Sequence, residues 1–199
     1  MDDLLPVFGV LGGIVGIADT VPYVRDTICG STRPHRGTWL IWAILAIVAS
    51  LSQRAGGASW SLVMTATQAI LTTLVFVLAT RYGEGGLSRR ELSLIAIAAA
   101  GVLGWTIVRE PTVAIVCVIA ADLIGVAIMA PKAYHDPQSE TLATYALASV
   151  SGALAATAVG TLDASLLAYP IYYCVINAAT AILLHHRRVA VLCKGCGGI

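Results

Sequence analysis

The sequence predicts an all-α integral membrane protein of seven transmembrane helices, arranged as two parallel three-helix bundles joined by a linker helix. Three observations predict it. Hydrophobic residues make up 58% of the 199 residues and charged residues 12%, against roughly 45–50% and about 25% in an average soluble domain. The apolar residues come in long continuous blocks, with a mean hydropathy of +0.84 over the chain, which favours spanning helices over the alternation of a barrel. The basic residues also fall almost wholly on one side of the breaks between blocks.

A spanning helix takes about 20 mostly apolar residues, within a range of about 17–25. The first candidate, Leu4–Val24, follows the acidic start Met1-Asp2-Asp3. A cleavable signal would start basic, so this run reads as a retained span. The second, Thr38–Ser52, is the shortest. It extends through Gly37 and Gln53, with Trp39 and Trp42 near its interfacial end. Ala58–Thr80, Leu92–Val108, Thr112–Ala130, Leu142–Thr161 and Ala164–Leu184 complete the set. The breaks carry turn chemistry, as in Cys29-Gly30-Ser31-Thr32-Arg33-Pro34, Arg54-Ala55-Gly56-Gly57, Gly83-Glu84-Gly85-Gly86, Arg109-Glu110-Pro111 and Asp136-Pro137.

Arg25, Arg33, Arg36, Arg81, Arg89, Arg90, Lys132, Arg187, Arg188 and Lys194 fall in the odd-numbered breaks and at the C-terminus, while Arg54 and Arg109 fall on the other side. The positive-inside rule then places the N-terminus outside and the C-terminus in the cytoplasm. The absence of a targeting peptide and the Ala/Gly/Val-rich spans point to a bacterial inner membrane. A net charge of +1 implies no nucleic-acid partner. The cysteines Cys29, Cys117, Cys174, Cys193 and Cys196 suggest no disulfide framework. Cys193-Lys194-Gly195-Cys196 has ligand spacing, but a lone pair is weak, and it reads as a solvated tail. No metal and no cofactor are expected.

The first and fifth spans end alike. Gly16, Ala18 and Pro22 recur as Gly125, Ala127 and Pro131, and the same ungapped offset carries Trp60 onto Tyr169 and Gln68 onto Asn177. With one helix between the triples, the fifth span crosses in the same direction as the first, a parallel repeat about an axis along the membrane normal. The organisation is then 1–90, a first three-helix repeat; 91–109, the linker helix; 110–188, the second repeat; and 189–199, a cytoplasmic tail.

On these residues the chain resembles the PQ-loop superfamily, which includes the SWEET sugar transporters and lysosomal amino-acid exporters. The family's Pro-Gln pair stands here as Pro22-Tyr23 and Pro131-Lys132. The resemblance implies a carrier of a small polar solute working by alternating access. Gln68 and Asn177 look like the family's substrate-facing asparagines on the third and seventh helices. The resemblance also allows proton coupling through a membrane aspartate. The same plan serves a cargo receptor, so a non-transporting receptor or accessory subunit is the alternative.

Asp122 lies mid-span, where an aspartate costs roughly +2.5 to +3.5 kcal/mol on insertion scales and is kept facing water, a partner or the bundle interior. It reads as a proton-coupling or substrate-binding carboxylate, against a protonated residue tied to a neighbouring helix. Gln68 and Asn177 could replace water around a polar solute, or serve as interhelical glue. Trp42 could stack on a solute ring, or anchor its helix at the interface; Tyr169, Tyr172 and Tyr173 share that ambiguity, with Tyr169 read mostly as an anchor. Asp19 could pair with Arg25 or Arg36 and close the inner mouth, or sit at the interface in contact with water. Pro22 and Pro131 each remove a backbone donor, making hinges or simply ending their spans. Gly12 and Gly16 form a small-xxx-small pair that suits packing within one chain or in a homo-oligomer.

An intramembrane enzyme fits less well. There is no His-Glu-x-x-His, and His35, His135, His185 and His186 lie in loops or at the tail. An aspartyl dyad needs two carboxylates at one depth, and Asp19 and Asp122 differ by roughly 9 Å at 1.5 Å rise per residue relative to their prolines.

Overall fold

The computed structural model describes residues 4–85, 89, 92, 93, 96 and 110–196. The regular structure described is helical: α1 (Leu5–Ile28), α2 (Arg36–Ala55), α3 (Ser61–Tyr82), α4 (Pro111–His135), α5 (Leu142–Ala158) and α6 (Ala164–Cys196), with a 3-10 turn at Pro137–Ser139. Five of these are long and apolar enough to cross a membrane, and α5 is a shorter apolar helix. The chain is thus an all-helical protein with several apolar helices of spanning length. The expected fourth span, Leu92–Val108, lies outside the described residues apart from Leu92, Ser93 and Ala96.

Several boundaries differ from the hydropathy reading. Helix α2 starts earlier than the second span, because His35 Nδ1 accepts from the Thr38 N–H and caps it. Helix α5 stops before Thr161, where Val159 ends the helix and Gly160 takes a positive φ of 73°. The largest correction is at the end of the chain. The segment from residue 189, expected as a solvated tail, continues α6 as far as Cys196, and His185 and His186 lie within that helix. Val189-Ala190-Val191-Leu192 contains no helix breaker, so the backbone ladder outlasts the lipid-facing stretch. Nor do the prolines end their helices. Pro22 lies inside α1, which runs on to Ile28, and Pro131 lies inside α4, which runs on to His135.

Packing follows one scheme twice. Helix α3 lies between α1 and α2, and α6 lies between α4 and α5. The two sets meet through α1 against α5, α2 against α4 and, more lightly, α3 against α5. Exchanging α1 with α4, α2 with α5 and α3 with α6 maps all of these pairings but the last onto themselves. Thr32 and Thr141, 109 positions apart, meet each other directly, hydroxyl to hydroxyl at 2.8 Å.

Pairwise contacts also give direction. Gly9 lies against Trp60 and Gly16 against Gln68, so α1 and α3 run parallel. Helix α1 runs antiparallel to α5, since Gly12 meets Ser151, Asp19 meets Thr144 and Tyr23 meets Glu140. Helices α5 and α6 form a hairpin, with Gly152 against Cys174 and the Glu140 carbonyl against Arg188. Asp122 meets Tyr172 and Tyr134 meets Arg187, so α4 and α6 run parallel. It follows that α1 and α4 point the same way. The chain therefore leaves α3 at one end of the bundle and enters α4 at the opposite end.

Candidate functional site

A cavity of about 70 Å³ lies between the two sets of helices. Each of the six described helices contributes to its wall. Among the lining residues, Thr20 and Met129, Trp39 and Ala148, and Gln68 and Asn177 are pairs related by the repeat offset.

Gln68, Asn177, Asp122, Trp42 and Asp19 all line this one cavity; Pro22 and Pro131 do not. Asp19, on α1, is buried and accepts from Thr20 Oγ1 at 2.8 Å and from Gln68 Nε2 at 3.1 Å. The arginine partners expected for it are replaced by these neutral donors, because α1 turns Asp19 inward while Arg36 reaches along the bundle end to the Ala79 and Gly85 carbonyls. Asp122, on α4, is half-buried and accepts from the Tyr172 hydroxyl at 2.6 Å. The two carboxylates thus have separate partners rather than sharing a proton as a dyad would. Asn177 donates to the Tyr173 carbonyl one turn back at 2.8 Å.

The repeat glycines explain how two of these side chains fit. A Cβ on Gly16 would stand 3.1 Å from Gln68 Nε2, and a Cβ on Gly125 would stand 2.8 Å from Trp42 Nε1. Each glycine leaves room for a nitrogen of a cavity-lining side chain. Gly12 is buried against α5, its carbonyl accepting from Ser151 Oγ at 2.8 Å, so the small-residue stripe packs within the chain.

Sequence reasoning missed Glu140. Its side chain is 1% exposed and lies behind the lining residues Tyr23 and Tyr145 at the basic end of the bundle. Tyr23 and Tyr145 donate to its Oε2 at 3.1 and 2.9 Å, and Lys132 Nζ sits 3.1 Å from its Oε1. Trp39 Nε1 in turn donates to the Tyr23 hydroxyl at 3.0 Å. Tyr23 and Lys132 follow the two repeat prolines, so equivalent positions grip the two oxygens of one carboxylate. Lys132 also pairs with Glu84 at 3.1 Å and donates to the Arg33 carbonyl. The pairing of Pro22-Tyr23 with Pro131-Lys132 was the available signal, a phenol and an ammonium at matched points. Tyr169 is a correction. Read as an interface anchor, it is buried and lines the cavity, whereas its counterpart Trp60 is exposed. Tyr172, which holds Asp122, was left unassigned.

No family model, no curated protein and no solved structure matches this chain.

Proposed function

We propose that this chain is a seven-span membrane carrier of a small polar solute, built as two parallel three-helix repeats around one cavity and joined by a fourth span. The observation that carries the reading is convergence. Polar side chains from both repeats face one space in the middle of an apolar bundle, where each costs free energy unless it serves binding or packing. The linker reading draws on direction. The chain between Gly85 and Glu110 begins at one end of the bundle and finishes at the other, as a further span would require.

Alternating access needs one end to close while the other opens. Glu140, gripped by Tyr23 and Lys132, is a closure at the basic end, and the prolines beside them give α1 and α4 a weakened point at which to move it. Proton coupling through Asp122 and a bacterial inner-membrane setting belong to the same proposal, with the basic end cytoplasmic. Cys29, exposed at that end, tests orientation. A membrane-impermeant thiol reagent should label it only from the cytoplasmic face.

The central test is uptake into proteoliposomes. Folded, reconstituted protein should exchange a labelled polar solute, and Asp122→Asn should remove the pH dependence of that exchange. A pH profile unchanged in Asp122→Asn would end the coupling proposal. Vesicles that exchange no small polar solute, despite folded protein, would end the carrier reading.

A further inference from the structure

The electrostatics of the cavity narrow what it can hold; the inference rests on the carrier reading for its site. Asp19 and Asp122 line the cavity, and no Lys, Arg or His is among the described lining residues. The closest basic side chains in the hydrogen-bond network are committed elsewhere: Lys132 to Glu140 and Glu84, and Arg36 and Arg188 to backbone carbonyls at the bundle end. Both acids meet only neutral donors, and Asp122 has a single one, Tyr172.

Around the acids the wall is aromatic, with Trp39, Trp42, Tyr169 and Tyr173 among its residues. Aromatic faces attract cations through the ring quadrupole, and aromatic cages hold quaternary ammonium groups in this way. Independently of the acids, Trp42 is only 9% exposed and its Nε1 has no hydrogen-bond partner. A buried indole N–H without an acceptor is costly, and Trp42 faces this cavity. Its Nε1 is closed off beside Gly125, and an acceptor atom on a bound molecule would satisfy it once the ring turns toward the space.

These features discriminate among solutes. An anion would meet two acids of like sign in a low-dielectric space. A zwitterion would find no cationic side chain for its carboxylate. A neutral polyol would satisfy donors and acceptors but leave the acidic charge unbalanced. We propose that the cavity binds a small organic cation, an amine or quaternary ammonium that also carries a neutral oxygen acceptor. The cationic end sits by Asp122 among the aromatic faces, and the oxygen accepts from Trp42 Nε1.

Choline and ethanolamine, tetramethylammonium, glucose and acetate are suitable probes. Binding to the purified full-length chain would be measured by calorimetry, and uptake would be measured in proteoliposomes. Choline or ethanolamine should bind at least tenfold more tightly than glucose or acetate. Trp42→Phe keeps a ring but loses the donor, so it should weaken choline several-fold and leave tetramethylammonium unchanged. Asp122→Asn should weaken both cations at least tenfold. The ranking on the unaltered protein decides the matter even if a variant fails to fold. Cation binding without uptake would support the solute class and remove the carrier reading. Uptake of glucose without cation binding would overturn the class and leave a carrier. No measurable binding of any cation at millimolar concentration would overturn the inference.

Discussion

In the first half of the molecule Gln68 reaches from α3 to α1 and donates to Asp19 at 3.1 Å; in the second half its counterpart Asn177 turns back on its own helix and donates to the Tyr173 carbonyl. The acids differ in the same sense. Asp19 is buried with two donors, whereas Asp122 is half-buried with one tyrosine hydroxyl. Matched helices and matched glycines therefore carry unmatched chemistry. The first half ties its amide and its acid to each other, which favours stability, while leaving Trp42 Nε1 without a partner. The second leaves donor and acceptor capacity facing the cavity, which favours ligand contact. The halves also meet at Thr32 with Thr141, at Gly12 with Ser151 and at Asp19 with Thr144, but the buried charge they share is Glu140, held by Tyr23 and Lys132.

That shared point should give the largest effect. Removing one partner of a buried ion pair typically costs about 3–5 kcal/mol. Glu140→Ala would strand Lys132 and two tyrosine hydroxyls, and we expect a loss of that size in denaturant or thermal unfolding of the purified protein. Glu84 also contacts Lys132, but its side chain is 39% exposed. Glu84→Ala should cost no more than about 0–1 kcal/mol. Equal losses for the two would mean that Glu140 is not where the halves are joined.

Next in size is the glycine pair. Adding a methyl to a filled interior costs about 1–3 kcal/mol. Gly125→Ala presses on the rigid Trp42 indole, with its Cβ 2.8 Å from Nε1, whereas Gly16→Ala presses on the Gln68 amide at 3.1 Å. Gly125→Ala should be the more destabilising of the two and should also shift the tryptophan emission. A larger loss from Gly16→Ala would reverse that assignment.

The amides give a smaller contrast. Interhelical hydrogen bonds in membrane bundles average about 0.6 kcal/mol and reach about 1.7. Gln68→Ala removes a bond between helices and should fall in that range. Asn177→Ala removes a bond within one helix and should barely move the unfolding midpoint, while reducing solute exchange in vesicles. If both variants lost stability equally and kept full exchange, the division of labour between halves would fail.

The sequence exposed the middle of this molecule better than its ends. Asp122, Gln68, Asn177, Trp42 and Asp19 could be picked out because lipid penalises polar groups, so mid-span they must face inward. Glu140 follows a helix end, where a charged residue is ordinary, and nothing in hydropathy marks it as buried. Tyr169 was misread for the converse reason. A tyrosine near a span end is usually an anchor, and its burial depends on α6 lying between α4 and α5. Helix limits suffered similarly. Hydropathy reports where lipid contact stops, while His35 capping α2 and the unbroken run into Cys196 depend on backbone hydrogen bonding.

The smallest expected effect lies at the starts of the third helix in each half. Asp163, fully exposed ahead of α6, accepts at Oδ1 from Ser165 Oγ and from the Ser165 and Leu166 N–H groups at 2.6, 2.8 and 3.3 Å. These bonds, the Ser165 hydroxyl first, hold its carboxyl below the ordinary value of 3.8. The matching helix α3 has no side-chain cap. A depressed native value means the stabilisation is fully present above the ordinary carboxylate range and is lost as pH falls through the lowered value. Asp163→Asn keeps a capping oxygen without a titrating charge. It should therefore trail the unaltered protein slightly at neutral pH and draw level only as pH falls below the lowered native value of Asp163, itself under 3.8. Ser59→Ala, ahead of α3, should show no such dependence. Parallel unfolding profiles for Asp163→Asn and the unaltered protein across that range would show that this end of the second half is no better capped than the first.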